Sequence, residues 1–275
     1  MKTGSFHGKT VLITGAASGI GRQIADQFAK AEAILILTDR DAPALETATA
    51  ELRAAGAEVH SHLVDVTDQR AVEALASRVI ATFGGLDVLV NNAGIGHHGE
   101  LADTSLETWR RLMDVNFWGP IYHVHAFLPS MLERRRGHIV NVSSGQAFFR
   151  LPTWGAYASI KVALGAYSEI LRFELRRHGI RVTTVYPFMV NTPFYQDVRG
   201  GSLGSRLSMS LLPYYSMSPE RVGRIIFKAV LRKEPVELVS HINRLGMLMQ
   251  AVPPLADAVS WLSELVLSKE SARAA

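Results

Sequence analysis

The stretch Thr10-Val11-Leu12-Ile13-Thr14-Gly15-Ala16-Ala17-Ser18-Gly19-Ile20-Gly21 places a short apolar run directly before three closely spaced glycines. Apolar residues then recur at helical spacing, at Ile24, Ala25, Phe28 and Ala29. This order predicts a strand, a glycine-rich turn and a helix. Glycines allow the backbone close to a pyrophosphate, and the free amides and dipole at a helix N-terminus bind its charge. The stretch therefore predicts a nucleotide-binding turn, with a plain loop as the alternative.

A second apolar run follows at the distance expected for the next strand of such a unit. Residues 34–37 are apolar throughout, as in a strand that is covered on both faces. The run ends at Thr38-Asp39-Arg40. An acidic residue about 20 residues beyond the glycines accepts hydrogen bonds from the adenosine ribose and repels a 2′-phosphate. Asp39 therefore favours NAD, whereas Arg40 could tolerate the phosphate of NADP.

Helical and strand patterns continue to alternate along the chain. Helical patterns cover residues 41–55 and 69–83, and strand patterns cover residues 58–64, 87–90, 139–142, 181–185 and 236–240. Such alternation predicts an α/β fold in a single domain. We expect a Rossmann-like, doubly wound parallel sheet of about seven strands, flanked by helices.

The composition excludes several classes of protein. The chain has 275 residues, 48% of them apolar, which is enough for one domain with a sizeable core. The formal net charge is +4, but Lys and Arg are scattered, so no nucleic-acid partner is expected. The absence of cysteine excludes disulfides, thiolate metal sites and cysteine nucleophiles. The pair His97-His98 lacks partner ligands, so no metal is expected.

No segment has the pattern of a signal peptide or a membrane anchor. The apolar run at residues 11–13 is too brief for a signal-peptide core. The most apolar region, residues 245–267, is interrupted by Pro253-Pro254, Asp257 and Glu264, and a spanning helix needs about 18 clean apolar residues. We expect a cytoplasmic protein without an integral membrane segment.

The pair Tyr157 and Lys161 carries acid–base chemistry if the segment between them is helical. Residues at i and i+4 lie roughly 5–6 Å apart at Cβ on one helix face. The Lys161 cation can then stabilise the Tyr157 phenolate and lower the pKa of that phenol from about 10. Such a tyrosine can exchange a proton with an alcohol or a carbonyl near neutral pH. An ordinary helical Tyr/Lys pair is the alternative for this pattern alone.

Four signals occur in a fixed order: the glycine-rich turn, Asn91-Asn92-Ala93-Gly94, Ser143-Ser144, and Tyr157 with Lys161. Together they resemble the short-chain dehydrogenase/reductase family over nearly the whole chain, residues 8–239, including the glycine spacing Gly-x-x-x-Gly-x-Gly. The resemblance implies an enzyme that acts on CH–OH donors with NAD or NADP as acceptor. The implied reaction is reversible hydride transfer between the nicotinamide and a secondary alcohol or ketone.

The resemblance also assigns catalytic roles. It makes Tyr157 the acid/base, while Lys161 lowers the pKa of Tyr157 and binds the nicotinamide ribose. Ser144, thirteen residues before Tyr157, orients the substrate oxygen, with Ser143 as the fallback. Asn116 kinks its helix and holds a water that relays protons to Lys161. The alternatives are a turn residue for Ser144 and a buried structural amide for Asn116.

Further cofactor contacts are implied by the resemblance. Asp65 and Val66 contact the adenine, although Asp65 could instead cap the next helix. Val190 and Thr192 contact the nicotinamide carboxamide. The expected cofactor-binding set is Gly15, Ala17, Ser18, Gly19, Ile20, Gly21, Asp39, Arg40, Asp65, Val66, Asn92, Ala93, Gly94, Tyr157, Lys161, Pro187, Val190 and Thr192.

The aromatic loop at residues 148–154, with Phe188, Phe194 and Tyr195, suggests a hydrophobic, lipid-like, terpenoid or steroid-like alcohol as substrate. The predicted substrate pocket consists of Ser144, Phe149, Tyr157, Phe188 and Phe194. Phe188 stands where the family usually has the glycine of a Pro-Gly pair, and would place an aromatic wall by the nicotinamide. Packing of these aromatics in the core or in an interface is the alternative.

We expect residues 1–240 to form the cofactor-binding and catalytic domain, with residues 193–217 as a substrate lid. Residues 241–275 are expected to form an amphipathic helical extension that packs on the same domain, although such tails also pack on another subunit. Peripheral membrane contact lacks the basic polar face that it requires. By resemblance, we expect a homodimer or homotetramer formed through the helices that carry Asn116 and Tyr157.

Three other functions remain open. An NADPH-dependent carbonyl reductase requires that Arg40 outweigh Asp39. An enoyl reductase of the same superfamily is disfavoured, because that branch has a longer Tyr-to-Lys spacing. A non-catalytic nucleotide-sensing or scaffolding protein with this fold is disfavoured too, because such proteins commonly lose the Tyr or the Lys.

Overall fold

A computed structural model of the chain describes residues 6–149, 151–192, 194 and 216–250, without the side chains of residues 249 and 250. It contains the strands β1 Thr10–Thr14, β2 Ile34–Asp39, β3 Val59–Leu63, β4 Val88–Asn91, β5 Gly137–Val142, β6 Ile180–Tyr186 and β7 Val236–Leu238. All seven form one parallel sheet in the order β3-β2-β1-β4-β5-β6-β7. The expected Rossmann-like sheet is confirmed.

Helices connect the strands and cover both faces of the sheet. They are α1 Gly19–Ala29, α2 Ala42–Ala54, α3 Gln69–Phe83, α4 Leu106–Met113, α5 Gly119–Arg134, α6 Gly155–Leu175, α7 Pro219–Arg232 and α8 His241–Gln250. Most of the expected lid and all of the tail after Gln250 lie outside the described residues. Within the described part of the chain, no helix has the length and apolarity needed to cross a bilayer.

The sheet has a core on each face, because alternate strand residues point to opposite sides. Val11 and Ile13 pack with α1 and α7, where Phe28 and Phe227 lie 5.1 Å apart between ring centroids. Leu12 of the same strand packs instead with α3, α5 and α6. Strands buried on both faces explain the continuous apolar runs in the sequence.

Two buried histidines predict a loss of stability in acid. His123 in α5 is fully buried, and His138 at the start of β5 is nearly so. Desolvation by burial lowers the pKa of both rings from 6.5 to about 4. The unfolded chain protonates these rings below about pH 6.5, whereas the folded chain does so only below about pH 4. Stability present above pH 6.5 is therefore lost as the pH falls through this window, by on the order of 3 kcal/mol per ring.

We expect His123→Asn, which keeps a donor near the Gly119 carbonyl that His123 Nδ1 contacts at 2.8 Å, to lose less stability than the parent in this window. Urea unfolding at a series of pH values measures the difference. His125→Gln, on the exposed side of the same helix, is the control and should follow the parent. Parallel pH curves for the parent and His123→Asn would contradict the prediction.

Candidate active site

The carboxyl ends of the strands open into a cavity of about 480 Å³. It lies where the strand order reverses between β1 and β4, the position at which open α/β sheets bind ligands. Its volume falls within the range of small-molecule and cofactor sites. Every residue of the expected cofactor-binding set lines it except Gly21. The additional lining residues, which the sequence did not single out for the cofactor, include Asp41, Ala44, Val64, Ile95, Val115, Val142 and Met189.

The glycine-rich turn is shaped by two left-handed residues and one close approach. Gly15 has φ +63° and Gly19 has φ +54°, a conformation that favours glycine. A Cβ on Gly21 would overlap the carbonyl oxygen of Gly15 and would lie 2.6 Å from Asn92 Nδ2. Gly21 therefore lets α1 begin directly behind the turn, which leaves the start of that helix facing the cavity.

Thr14 joins this turn to the Asn92-Ala93-Gly94 segment. Its hydroxyl accepts hydrogen bonds from the backbone N–H groups of Asn92 and Ala93, both at 3.0 Å. Asn92 Nδ2 donates back to the carbonyls of Thr14 at 3.0 Å and Gly15 at 3.2 Å. Thr14 begins the glycine-rich motif but was not in the expected cofactor-binding set. It does not line the cavity itself and instead braces the segments that do.

Asp39 at the end of β2 is held in place by two backbone donors. Its carboxylate accepts from Ala17 N at 3.0 Å and from Asp41 N at 3.1 Å. The side chain is only partly buried, and the neighbouring Arg40 is exposed at the same end of the cavity. A fixed negative charge and a solvated positive charge therefore lie side by side there.

Asp65 lines the cavity and does not cap α3. Asp68 is the cap of that helix, with its carboxylate accepting from Ala71 N at 3.0 Å. Asp65 accepts instead from the backbone N–H and the hydroxyl of Thr67, at 2.9 and 2.8 Å. The turn at residues 65–67 leaves both Asp65 and Val66 against the cavity.

Tyr157 and Lys161 lie one turn apart on α6, both buried and both lining the cavity. Lys161 Nζ is 5.8 Å from the centre of the Tyr157 ring and donates to the Val142 carbonyl at 3.0 Å. Burial lowers the pKa of Lys161 from 10.5 to about 7. The sequence alone suggests a permanent cation at Lys161, whereas burial makes the neutral amine accessible near pH 7.

The two serines after β5 have different contacts. Ser143 Oγ donates to the backbone carbonyl of Lys161 at 2.8 Å, which fixes α6 against the end of the strand. Ser144 Oγ accepts from Gln146 N at 3.2 Å in a short 3₁₀ turn. Both residues line the cavity, so the geometry brings Ser144 together with Tyr157 and Lys161.

Asn116 lies in a π-helical turn, Asp114–Trp118, that interrupts the continuous helix formed by α4 and α5. Such turns occur frequently at functional sites. The side chain is fully buried and does not line the cavity. Its Nδ2 donates to the carbonyls of Ile95 at 3.0 Å and Leu112 at 3.1 Å, and its Oδ1 accepts from Ile95 N at 3.2 Å. The amide therefore anchors the segment that follows Gly94.

The aromatic residues of the predicted substrate pocket divide into two groups. Phe194 lines the cavity, and its ring centre is 5.5 Å from that of Tyr157. Trp154, the last residue of the predicted aromatic loop, packs against Tyr157 with the two ring centres 6.0 Å apart. Phe149 and Phe188 do not line the cavity, and their rings pack against each other with centres 5.3 Å apart. An aromatic wall thus exists beside Tyr157, but Phe149 and Phe188 are not part of it.

The replacement of the usual glycine by Phe188 does not force Phe188 into a left-handed conformation. The left-handed residue of this segment is its neighbour Met189, with φ +50°. Met189 lines the cavity, and its carbonyl accepts from Met217 N at 2.9 Å. Val190 and Thr192 line the cavity just beyond, and Thr192 lies against Gly19 of the glycine-rich turn.

Comparison with known proteins adds a family match and similar curated sequences. A family model described as short chain dehydrogenase matches residues 9–202. Dehydrogenase/reductase SDR family member 7B of Bos taurus is 36% identical over 251 residues, which cover 89% of this chain and 77% of that protein. Probable oxidoreductase EphD of Mycobacterium tuberculosis is 35% identical over 252 residues, which cover 86% of this chain and 42% of that protein.

Solved structures with the same architecture include complexes with both dinucleotides. A short chain dehydrogenase/reductase from Burkholderia phymatum in complex with NAD has a TM-score of 0.82 and 30% identity, covering 88% of this chain and 92% of that one. A metagenomic short-chain oxidoreductase in complex with NADP has a TM-score of 0.71 and 31% identity, covering 85% of this chain and 97% of that one.

Proposed function

The chain belongs to the short-chain dehydrogenase/reductase family, and on that premise we propose that it transfers a hydride reversibly between NAD and a hydrophobic secondary alcohol or ketone. It is an oxidoreductase that acts on CH–OH donors. The observation that supports the proposal most is that Tyr157, Lys161 and Ser144 line one cavity together with the glycine-rich turn.

The residues around the cavity fit a dinucleotide. The left-handed glycines and the free N-terminus of α1 offer backbone donors and a positive dipole end to a pyrophosphate. Asp39 would accept hydrogen bonds from the adenosine ribose, and Asp65 with Val66 would adjoin the adenine. At the other end, Pro187, Val190, Thr192 and Lys161 would hold the nicotinamide half. The bound nicotinamide would supply a centre that accepts or gives a hydride.

We assign the proton chemistry to Tyr157. In the oxidative direction its phenolate accepts the proton of the alcohol, and in the reductive direction its hydroxyl donates a proton to the carbonyl oxygen. Lys161 in its protonated form stabilises the phenolate across the site. The Ser144 hydroxyl orients the substrate oxygen and stabilises its developing charge.

We assign Asn116 an indirect role in proton relay. A Cβ on Gly94 would lie 2.8 Å from Asn116 Oδ1 and 3.6 Å from Lys161 Nζ, so the missing side chain leaves room between the two groups. A water molecule in that room could connect Lys161 to solvent. The Asn116 amide keeps the room open because it holds both backbone groups of Ile95.

Asp39 is proposed to make NAD the preferred cofactor, because its fixed carboxylate repels a 2′-phosphate. We expect Asp39→Ser to lower affinity for NADH, because it removes a ribose acceptor, and to raise affinity for NADPH, because it removes the repelling charge. Each change should be about tenfold, which corresponds to roughly 1.4 kcal/mol of binding free energy. Titration followed by fluorescence energy transfer from the tryptophans measures both dissociation constants.

Arg40→Ser is the matched control for cofactor choice, because it removes the neighbouring positive charge and keeps Asp39. Compared with the parent, Arg40→Ser should bind NADH with nearly unchanged affinity and NADPH with lower affinity. A parent that binds NADPH more tightly than NADH would instead support the NADPH-dependent carbonyl reductase.

The substrate is proposed to be hydrophobic. Trp154 and Leu151 pack with Tyr157 and Phe194, so the reacting end of the cavity has an apolar wall. Turnover with a panel of secondary alcohols, from small polar sugars to bulky apolar alcohols, tests this assignment. Preference for the polar sugars would contradict it, and failure to bind either dinucleotide would favour a non-catalytic role for the fold.

We also propose that the protein is a homodimer or homotetramer. Ile170 and Phe173 on α6 and Trp118 at the end of the π-helical turn are large apolar side chains that remain exposed. They lie on the helices through which the resemblance predicts association. Light scattering at micromolar concentration measures the assembly, and a monomer under those conditions would argue against it.

A further inference from the structure

One buried amide connects α8 to the end of β6. Asn243, in the first turn of α8, is fully buried. Its Nδ2 donates to the carbonyl oxygen of Tyr186, the last residue of β6. In the ladder, Tyr186 pairs with Leu238, the last residue of β7. Asn243 therefore supplies a donor to β6 at the point where its partner strand ends, next to Pro187, which lines the cavity.

The same amide faces the residue that follows Ser144. A Cβ on Gly145 would overlap Asn243 Oδ1 and would lie 2.6 Å from Phe188 Cδ2, so Gly145 packs against both side chains. Gly145 N donates to the Pro187 carbonyl at 2.7 Å. The Ser144-Gly145 turn and the end of β6 are thus joined directly, and Asn243 contacts both from behind the cavity.

A second contact of α8 lies one turn further along. A Cβ on Gly246 would lie 2.7 Å from Phe149 Cζ, so the ring of Phe149 rests on the helix backbone. Phe149 in turn contacts Phe188. Helix α8 therefore contacts the segment after Ser144 at both of its ends, Gly145 and Phe149.

We propose that Asn243 is a positioning residue, which sets the Ser144 hydroxyl relative to Tyr157 by holding the Ser144-Gly145 turn against the end of β6. This inference rests on the proposed function, which gives Ser144 the substrate oxygen. A misplacement of about 1 Å in a reacting group can lower the rate by about 10²-fold. Asn243 lies outside the four motifs that carry the chemistry, so sequence motifs give no indication of this role.

The test is Asn243→Leu, which keeps the branched shape and the number of side-chain heavy atoms and removes the donor. Among the described residues, Asn243 Oδ1 has no hydrogen-bond partner, so its loss leaves no donor unpaired. We expect kcat with a secondary alcohol to fall about tenfold, while the Kd for NADH stays within about twofold. A purely structural role would lower the melting temperature and leave kcat per folded molecule unchanged. Leu245→Ser, on the exposed face of α8, is the control and should keep parental kcat.

A double-mutant cycle with Ser144→Ala separates action through Ser144 from a general effect. We expect Asn243→Leu to cause no further fall in kcat when the Ser144 hydroxyl is already absent. Parental kcat in Asn243→Leu, or full additivity with Ser144→Ala, would overturn the inference and leave the proposed function intact. An inactive parent would overturn the proposed function and this inference together. If Asn243→Leu does not fold, Asn243→Ala, which removes the amide without adding bulk against Gly145, carries the same cycle.

Discussion

Replacing Tyr157 by Phe is expected to lower kcat/KM for alcohol oxidation by about 10³-fold, within the range that general acid–base catalysis supplies. The substitution removes only the hydroxyl to which we assign the proton exchange. The ring remains packed between Trp154 and Phe194, so the fold and the dinucleotide Kd should change little. Steady-state kinetics together with tryptophan energy transfer to NADH measure the two effects separately.

Tyr167→Phe is the matched control, since Tyr167 lies on the same helix and its ring contacts Phe117 away from the cavity. It should retain parental kinetics. Equal rates for Tyr157→Phe and the parent on every accepted alcohol would show that Tyr157 is not the acid/base.

Replacing Lys161 by Met is expected to abolish most of the activity and yet stabilise the protein at pH 7. Burial lowers the pKa of Lys161 from 10.5 in the unfolded chain to about 7 in the folded one. The contribution of Lys161 to stability is therefore greatest above pH 10.5 and is lost as the pH drops to 7, because the folded state resists protonating the buried amine. Methionine removes this penalty, and the lost hydrogen bond to Val142 offsets part of the gain. The net increase should be on the order of 2 kcal/mol.

Urea unfolding of both proteins at pH 7 and at higher pH measures the stability prediction. The advantage of Lys161→Met should shrink as the pH rises toward 10.5, while kcat/KM stays roughly 10²-fold below the parent. Lys228→Met removes an exposed lysine of α7 and should change neither quantity. A Lys161→Met protein that is less stable than the parent at pH 7 would contradict the account.

Sequence patterns predict the sheet well, because each buried strand is a short apolar run and each helix has an apolar face. The glycine-rich turn and the Tyr157 and Lys161 pair are equally visible, since they are local in the sequence. Roles that depend on residues far away in the sequence cannot be recognised from such local patterns. The requirement for glycine at Gly21 comes from the Gly15 carbonyl above it, and the protonation of Lys161 depends on burial.

The aromatic residues show the same limit. Phe149 and Phe194 both follow Ser144 in segments that the sequence predicts as loops, and nothing local distinguishes them. Phe194 reaches the cavity, whereas Phe149 is held by Gly246 of α8, nearly one hundred residues later in the chain. The composition of a loop therefore indicates an apolar environment without indicating whether ligand or protein provides it.

Hydride transfer itself can be observed directly. A secondary alcohol that the protein accepts, deuterated at the carbinol carbon, is incubated with NAD and the parent protein, and the reduced dinucleotide is analysed by mass spectrometry. We expect the deuterium to appear in the nicotinamide ring, at a rate that Tyr157→Phe lowers by about 10³-fold. Reduced dinucleotide without deuterium, or a bound dinucleotide that is never reduced by any alcohol of the panel, would contradict the central claim.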